Sequence, residues 1–452
     1  MAARRGLVTT PIRRQYLEIK RRFPQAIVFF RLGDFYETFD EDAKLVAREL
    51  EITLTSKPMG KDLRVPLAGV PHHALQAHLK RLVGRGYKVA VCEQMEDPRK
   101  AKGLVAREVV RVVTPGTVVE EELLSAAANN YLAAVCPGPG GSGLAYVDIT
   151  TGEFAATELS DADLALEIGR LGPAEVLLPE GSQPPASVQA PLTRLDAYAF
   201  NPEEAGRRLR EHFRVASLEG YGLRGKPLAA SAAGAVLAYL ADNQRAALAN
   251  VKDLSVYDAS RFMVLDASAR RHLEVFATAR EGSRKGSLLE TLDMTRTAMG
   301  ARLLGRWLGQ PLLDARAINE RLDRVQRFFE DALGRGETRD RLREMPDVER
   351  IVGRIVAGVA LPRDLAALRR ALAAYPGVIA AAGGDFEVPA ASRSAGEALA
   401  LLEAAIADDP APVLGEGGVI KAGFSPELDE ARVLTGDARR ALAEMEAEER
   451  DR

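Results

Sequence analysis

The chain has 452 residues, of which 47% are hydrophobic and 28% are charged, a composition typical of a globular protein with room for about two to four domains. Its two cysteines, Cys92 and Cys136, and its five scattered histidines provide no disulfide framework and no metal-ligand spacing. Residues 1–5 lack the apolar run of a signal peptide, and we identify no stretch long and apolar enough to span a membrane, so we expect a cytoplasmic protein.

The charge is unevenly distributed along the chain. Residues 1–120 contain 22 Lys and Arg against 14 Asp and Glu, a net charge of +8, whereas the formal net charge of the whole chain is −3. A basic N-terminal module on an otherwise acidic chain indicates phosphate contacts concentrated at one end. An ordinary scatter of surface charge is the alternative explanation.

The first predicted elements are a helix and a hairpin. Thr10 followed by Pro11 is typical of an N-cap with proline in the first turn, which predicts a helix to about Phe23. The apolar run at 26–30 predicts a buried strand, and Gly and Asp at 33–34 predict the turn into a second strand.

Phe35 and Glu37 begin this second strand, and because they stand two residues apart they point to the same side of it. A large ring beside a carboxylate is a poor core pattern, because a buried carboxylate without a partner is costly. The pair suits the handling of a nucleic-acid base: the ring can stack on the base, which returns about 1–3 kcal/mol, and the carboxyl group can hydrogen-bond it. The alternative is an ordinary hairpin in which Phe35 faces the core and Glu37 is solvated.

The rest of the first 120 residues predicts a compact α/β domain. We expect helices at 40–51 and about 73–84, and strands at 52–55, 89–92 and 109–113. Cys92 is expected to be a small buried hydrophobic residue. A polar loop is predicted at 56–63, and Lys57, Lys61 and Arg64 in and beside it are candidates for phosphate contacts. A solvated loop without that role is equally compatible with the sequence.

Beyond residue 120 the pattern changes. Strands are predicted at 131–135 and 144–149 across a Pro- and Gly-rich loop at 137–142, then an extended piece at 153–156, a helix, and a short strand at 176–178. From about Pro227 the pattern is helical almost to the end. One predicted helix has an apolar face at helical spacing, which favours a core position for Trp307. That face comprises Met299, Leu303, Leu304, Trp307 and Leu308.

Four short motifs follow one another in the first 120 residues. They are Gly33-Asp34-Phe35-Tyr36-Glu37, Pro66-Leu67-Ala68-Gly69-Val70-Pro71-His72-His73, Cys92-Glu93-Gln94 and Val113-Thr114-Pro115-Gly116-Thr117. In this order they resemble the mismatch-binding domain of the MutS DNA mismatch-repair proteins, whose Phe-x-Glu signature falls on Phe35 and Glu37. Later segments resemble the MutS core, or lever, domain; they lie at 262–266, 286–293, 347–350, 361–365 and 421–429.

The resemblance implies a multidomain fold. We expect an α/β mixed-sheet mismatch-recognition domain at 1–118, a ribonuclease H-like α/β connector at 124–245, and an all-α core (lever) domain at 254–452 that stops where the clamp begins. Ribonuclease H-like shape does not imply nuclease activity, and the sequence offers no acidic cluster for a two-metal site. The resemblance further implies a homodimer formed through regions outside this chain, a MutL-type partner bound through the connector, and a nucleoid-associated location.

The same resemblance implies the ligand and the site. Double-stranded DNA with mismatches or small insertion or deletion loops would be bound, with Phe35 stacking on a mispaired or unpaired base and Glu37 bonding it. The other candidate DNA-binding residues are Arg107, Leu32, Lys57, Arg64 and Leu67.

MutS proteins carry a P-loop ATPase after the clamp, so ATP and Mg²⁺ are implied for a C-terminal domain outside this sequence, and we expect no cofactor in the chain itself. The nearest match to the P-loop pattern lies at 220–226. It is followed by Pro227, where a hydroxyl ligand of Mg²⁺ should stand, and proline also lacks the backbone donor such a loop uses. We therefore expect that the chain as given is not an enzyme.

Two other classes of function stay open. The chain could be an interaction scaffold of a repair complex without intrinsic mismatch specificity, in which case DNA binding would depend weakly on Phe35. It could also be an ATPase or a nuclease, against which the absent P-loop and acidic cluster argue; a turnover assay separates that case.

Overall fold

A computed structural model describes residues 10–60, 63–96, 105–185, 188–383, 392–412 and 417–435. The chain divides into two compact units, residues 1–319 with 352–358 and residues 320–351 with 359–452. The first unit contains two six-stranded sheets, and the described part of the second is mainly helical.

The first sheet carries the candidate site. Its elements are, in chain order, α1 (Pro11–Arg22), β1 (Ile27–Leu32), β2 (Phe35–Phe39), α2 (Asp40–Leu50), β3 (Thr55–Gly60), β4 (Leu63–Pro71), α3 (Leu75–Val83), β5 (Val89–Gln94) and β6 (Arg107–Val113). The strands lie in the order β3-β4-β2-β1-β5-β6. Strand β1 pairs parallel with β5 and antiparallel with β2, so the sheet is mixed.

Apolar layers cover both faces of this sheet. Phe29 and Leu79 belong to the layer on the side of α2 and α3, whereas Tyr16, Phe30 and Cys92 belong to the layer on the side of α1. Because successive side chains of a strand point to opposite faces, β1 supplies both layers and is apolar throughout its first four residues. The predicted buried strand and the predicted burial of Cys92 are confirmed.

The helix predicted from Thr10 is also confirmed. The backbone N–H of Arg13 donates to the Thr10 hydroxyl at 3.4 Å, and Pro11 is the first helical residue. Pro11 fits there because the first N–H groups of a helix have no intrahelical acceptor.

The predicted strand at 52–55 is wrong, and so is the predicted loop at 56–63 for its described residues, 56–60 and 63. The strand is β3, which pairs antiparallel with β4 and forms the outer edge of the sheet. The polar residues and Pro58 of β3 are more typical of a loop than of a strand. An edge strand tolerates lysine and proline because the backbone groups on its outer side form no hydrogen bonds with another strand. Lys57 and Arg64 therefore lie on strands, whereas Lys61 falls outside the described residues.

The second sheet follows residue 131. Its elements are β7 (Leu132–Gly138), β8 (Gly141–Asp148), β9 (Glu153–Leu159), α4 (Asp161–Leu171), β10 (Glu175–Pro179), β11 (Leu192–Leu195), α5 (Pro202–Phe213), α6 (Pro227–Asn243) and β12 (Ser255–Val256). The order is β11-β10-β7-β8-β9-β12, with an antiparallel meander β7-β8-β9 and parallel pairs on either side.

The Pro- and Gly-rich segment at 137–142 is a tight turn within a continuous hairpin, since Gly138 pairs with Gly141. The predicted loop is therefore shorter than the composition indicates. Gly143 follows it for a steric reason: a Cβ atom there would lie 2.0 Å from the Leu228 carbonyl oxygen of α6. Glycine lets helix α6 pack directly on β8.

A buried carboxylate joins the two sheets of the first unit. Glu175, at the start of β10, is fully buried, and its side chain lies 3.3 Å from the Lys88 amine that precedes β5. Its other hydrogen-bond donors are the Thr114 hydroxyl, the Gly116 N–H at 3.1 Å, the Thr193 hydroxyl and the Tyr239 hydroxyl at 2.8 Å. Burial raises the pKa of Tyr239, and the neighbouring Glu175 charge adds to the shift. Segments from both sheets therefore converge on one charge.

The remaining described elements are helices. They are α7 (Ala267–His272), α8 (Leu288–Leu292), α9 (Ala298–Gly309), α10 (Ala315–Glu330), α11 (Ala332–Arg343), α12 (Val348–Val356), α13 (Pro362–Ala382) and α14 (Ser392–Ala405), and residues 426–435 are also helical. The predicted helical pattern from Pro227 is wrong for most of residues 244–287, where α7 stands among short turns and the strand β12. The fold class, mixed α/β sheets followed by a helical region, is confirmed.

The predicted core position of Trp307 is wrong for the described structure, because its side chain is 41% exposed. Helix α9 instead buries Ala301, Gly309 and Arg302, whose guanidinium donates to the Ala126 carbonyl at 3.0 Å. Apolar periodicity identified the helix but not the side on which it packs.

Helix α13 has the length and apolar composition of a membrane-crossing helix, contrary to our expectation that no stretch has them. Core helices of globular proteins also combine this length with this composition, so one such helix is weak evidence for a membrane span. Within its unit, α13 packs along α11 and α14, and Arg369 donates to the Ile406 carbonyl at 2.7 Å.

Candidate nucleic-acid interface

A two-residue turn presents Phe35. Leu32 pairs directly with Phe35 across the β1–β2 hairpin, and Gly33 adopts a φ of +60°, which glycine reaches at no steric cost. The His72 N–H donates to the Asp34 carbonyl at 2.8 Å and ties the turn to the end of β4. Phe35 is 47% exposed at this tip, so the alternative in which it faces the core is wrong.

The next residue anchors the strand on the other face. Tyr36 is buried in the layer that contains Phe29, its ring is packed by the Arg31 guanidinium, and its hydroxyl donates to Glu93. Burial and this carboxylate raise the pKa of Tyr36 to about 12. Alternation along β2 therefore directs Tyr36 to the face covered by α2 and α3, and Phe35 and Glu37 to the opposite face.

Glu37 is paired rather than solvated. The Lys57 amine of β3 donates to both of its carboxylate oxygens, at 2.9 and 3.1 Å. The Glu37 side chain is 16% exposed and that of Lys57 is 40% exposed. Gly69 lies opposite Glu37 on β4, the strand between β2 and β3, and a Cβ atom there would lie 3.7 Å from the Glu37 side chain and 3.9 Å from the Phe35 ring.

Arg107, the first residue of β6, lies inside the protein and is 8% exposed. Its guanidinium packs on the ring of Phe30 at 5.2 Å and donates to the carbonyls of Arg31 at 2.6 Å and Val105 at 2.8 Å. Burial lowers its pKa. These contacts hold the end of β1, directly before the turn that presents Phe35; a DNA contact by Arg107 stays a prediction.

The remaining candidates fall on two faces. Leu32 and Leu67 are half-buried at the margin of the layer that contains Phe30, the face that also bears Phe35 and Glu37. Arg64 neighbours Val65 of that layer and so points to the opposite face, where it is exposed and bonds Ser56. The structure thus brings together Leu32, Phe35, Glu37, Lys57 and Leu67, and leaves Arg64 apart.

Two supporting carboxylates had no recognisable signal in the sequence. Asp42 is buried and accepts from the Tyr16 hydroxyl at 3.0 Å, the Lys20 amine at 2.8 Å and the Val28 N–H at 3.0 Å. Asp40, with a φ of +55°, follows β2 and receives a bidentate bond from Arg13 at 2.9 and 3.0 Å. Two basic residues of α1, Arg13 and Lys20, are therefore paired with carboxylates where β2 passes into α2.

No group of three or more His, Cys, Asp or Glu that could hold a metal ion occurs among the described residues. The segment at 220–226 begins within a short helical turn, Glu219–Tyr221, and ends where Pro227 begins α6.

Comparison with known protein families defines the class of the chain. The models for MutS domain I, MutS domain II and MutS domain III match residues 10–122, 130–252 and 268–451. The chain therefore belongs to the MutS family.

Individual relatives give the same result. The chain is 46% identical over 98% of its length to the DNA mismatch repair protein MutS of Dehalococcoides mccartyi strain CBDB1, and 48% identical over 98% to that of Symbiobacterium thermophilum. It is 43% identical to the corresponding protein of the archaeon Methanosarcina acetivorans. In each case it covers 53% of the relative, so the chain spans about half the length of the curated relatives it matches.

Proposed function

We propose that residues 10–122 bind double-stranded DNA and recognise a mispaired or unpaired base, so that the chain acts in DNA mismatch repair. The observation that carries the proposal is Phe35, an exposed aromatic ring at the tip of a fixed hairpin, beside the carboxylate of Glu37. Tyr36 on one face and Arg107 behind the turn hold the ring in place, so little ordering is required when it contacts DNA.

Phe35 acts as a wedge that enters the base step and stacks on one base. Unstacking a step costs a few kcal/mol, and a mispaired step is cheaper to open than a paired one. Stacking on the ring returns about 1–3 kcal/mol whatever the base, so discrimination comes mainly from the deformability of the DNA. Glu37 then accepts a hydrogen bond from an exposed base N–H.

The wider role is a proposal by analogy with the longer relatives. We propose that the full-length protein forms a MutS-type homodimer, binds ATP and Mg²⁺ in a domain outside the present sequence, and engages a MutL-type partner through the connector. A cytoplasmic, nucleoid-associated location fits this role.

The test compares full-length wild-type protein with Phe35→Ala on matched and mismatched duplexes of equal length at one salt concentration. We expect wild type to prefer the mismatched duplex and Phe35→Ala to lose that preference, with an unchanged melting temperature. Val110→Ala, which trims an exposed residue on the other edge of the same sheet, is the control. Retained preference in Phe35→Ala would contradict the wedge and support the scaffold alternative.

A further inference from the structure

Glu37, the proposed base-bonding residue, is already engaged in an ion pair with Lys57. Both carboxylate oxygens already accept from the Lys57 amine, at 2.9 and 3.1 Å, and the carboxylate is 16% exposed. Lys57 stands on β3, the outermost strand, and is 40% exposed. One partner of the pair is therefore enclosed, while the other has room to move.

The pair also sets the charge that DNA meets at this point. A lone carboxylate near a duplex is repelled by the phosphates, whereas a carboxylate with an ammonium at 2.9 Å presents almost no net charge. In a matched duplex the Watson–Crick donors and acceptors are already paired, so only the groove edges of the bases stay open to the protein.

We propose that Lys57 determines mismatch specificity through an exchange of partners, an inference that rests on the proposed function of Phe35 and Glu37. On matched duplex the Glu37–Lys57 pair stays closed. When Phe35 opens a mispaired step, an exposed base N–H donates to Glu37, the ion pair opens, and the released Lys57 ammonium binds a DNA phosphate.

The exchange is close to balanced in free energy, which is why it can respond to the base. Lys57 is 40% exposed, and an ion pair at such a surface position changes an equilibrium by only about two- to fivefold, as does the surface contact between lysine and phosphate that would replace it. An unpaired hydrogen-bonding group on a mispaired base is then enough to shift the equilibrium from the closed Glu37–Lys57 pair to the opened one.

The test is a double-mutant cycle in the full-length protein. Affinities for matched and mismatched duplex are measured for wild type, Glu37→Gln, Lys57→Met and the double variant. Among the four proteins only wild type contains the Glu37–Lys57 pair. If the pair opens only on mismatched DNA, wild type is therefore the one protein that loses this interaction when it binds mismatched duplex. Its mismatch affinity should therefore be about two- to fivefold weaker than additivity predicts, and matched duplex should show additive effects.

Salt dependence provides a second readout that a purely structural role would not change. Lys57→Met should lower the slope of log affinity against log salt for mismatched duplex by about 0.9, the value of one phosphate contact. The control variant is Lys44→Met. Lys44 pairs with Glu41 at 2.7 Å on α2, so this variant also removes one lysine charge from an ion pair, but at a position that is not beside Phe35. It should leave both the cycle and the difference between duplexes unchanged.

Two results would overturn the exchange. Additive effects on mismatched duplex would mean that the pair stays closed there, and wild-type affinity stronger than additivity would mean that Lys57 only steadies Glu37. If wild type shows no preference between the duplexes, the proposed function itself has failed, and that outcome is visible before any variant is measured.

Discussion

Glu175 lies fully buried where segments of the two sheets meet, and its removal should be among the most damaging single changes in the first unit. Glu175→Ala leaves the Lys88 ammonium, itself 19% exposed, without its counter-charge and also leaves several donors unmet. Removing one partner of a buried ion pair costs about 3–5 kcal/mol. We therefore expect the free energy of unfolding of this unit to fall by about that amount.

The pH dependence of stability distinguishes the charge from the packing. Burial lowers the pKa of Lys88 from 10.5, and Glu175 opposes that shift. In Glu175→Gln the carboxylate that raises the pKa of Lys88 is gone and only the lowering by burial remains. Lys88 therefore releases its proton at lower pH in the folded state than in the unfolded state. The unfolded state then binds more protons, and the variant should regain stability as the pH rises towards about 10.

The assay is urea denaturation followed by circular dichroism at several pH values, for wild type, Glu175→Ala, Glu175→Gln and Glu175→Gln with Lys88→Met. The double variant, which removes both charges, should be more stable than Glu175→Gln alone. A loss below about 1 kcal/mol in Glu175→Ala, or no recovery of Glu175→Gln at high pH, would refute the assignment of a buried charge at this contact.

Two further predictions concern buried groups. Burial raises the pKa of Cys92 to about 12 and also raises that of Cys136, so neither thiol should react with a thiol reagent at about pH 8 until the protein unfolds; rapid reaction in the native state would contradict their burial. Arg107→Met removes the guanidinium from the Phe30 ring and from the carbonyls of Arg31 and Val105, so the protein should lose about 1–3 kcal/mol of stability in a thermal melt. An unchanged melting temperature with weakened DNA binding would instead make Arg107 a direct DNA contact.

Local signals explain what the sequence could predict about the site. Thr10 with Pro11 identifies the start of α1, and glycine with aspartate at 33–34 marks the hairpin turn. Alternation along β2 placed Phe35 and Glu37 on one side of the strand. Which side stays open depends on where α1 packs, and no local pattern contains that information.

The remaining features depend on distant residues. Glu37 and Lys57 are 20 residues apart on strands separated by β4, and the edge-strand composition of β3 suggested a loop. The enclosed position of Arg107 requires the carbonyls of Arg31 and Val105 to converge on it. Trp307 shows the same limit, because periodicity does not specify which face of α9 is covered.

The most direct measurement of the central claim follows the base that Phe35 is proposed to unstack. A duplex carrying 2-aminopurine beside a mismatch becomes more fluorescent when that step opens, because base stacking quenches the probe. We expect wild-type full-length protein to raise the emission on mismatched but not on matched duplex, and Phe35→Ala, at saturating concentration, to raise it little. An equal rise with Phe35→Ala would contradict the account, because the step would then open without the ring.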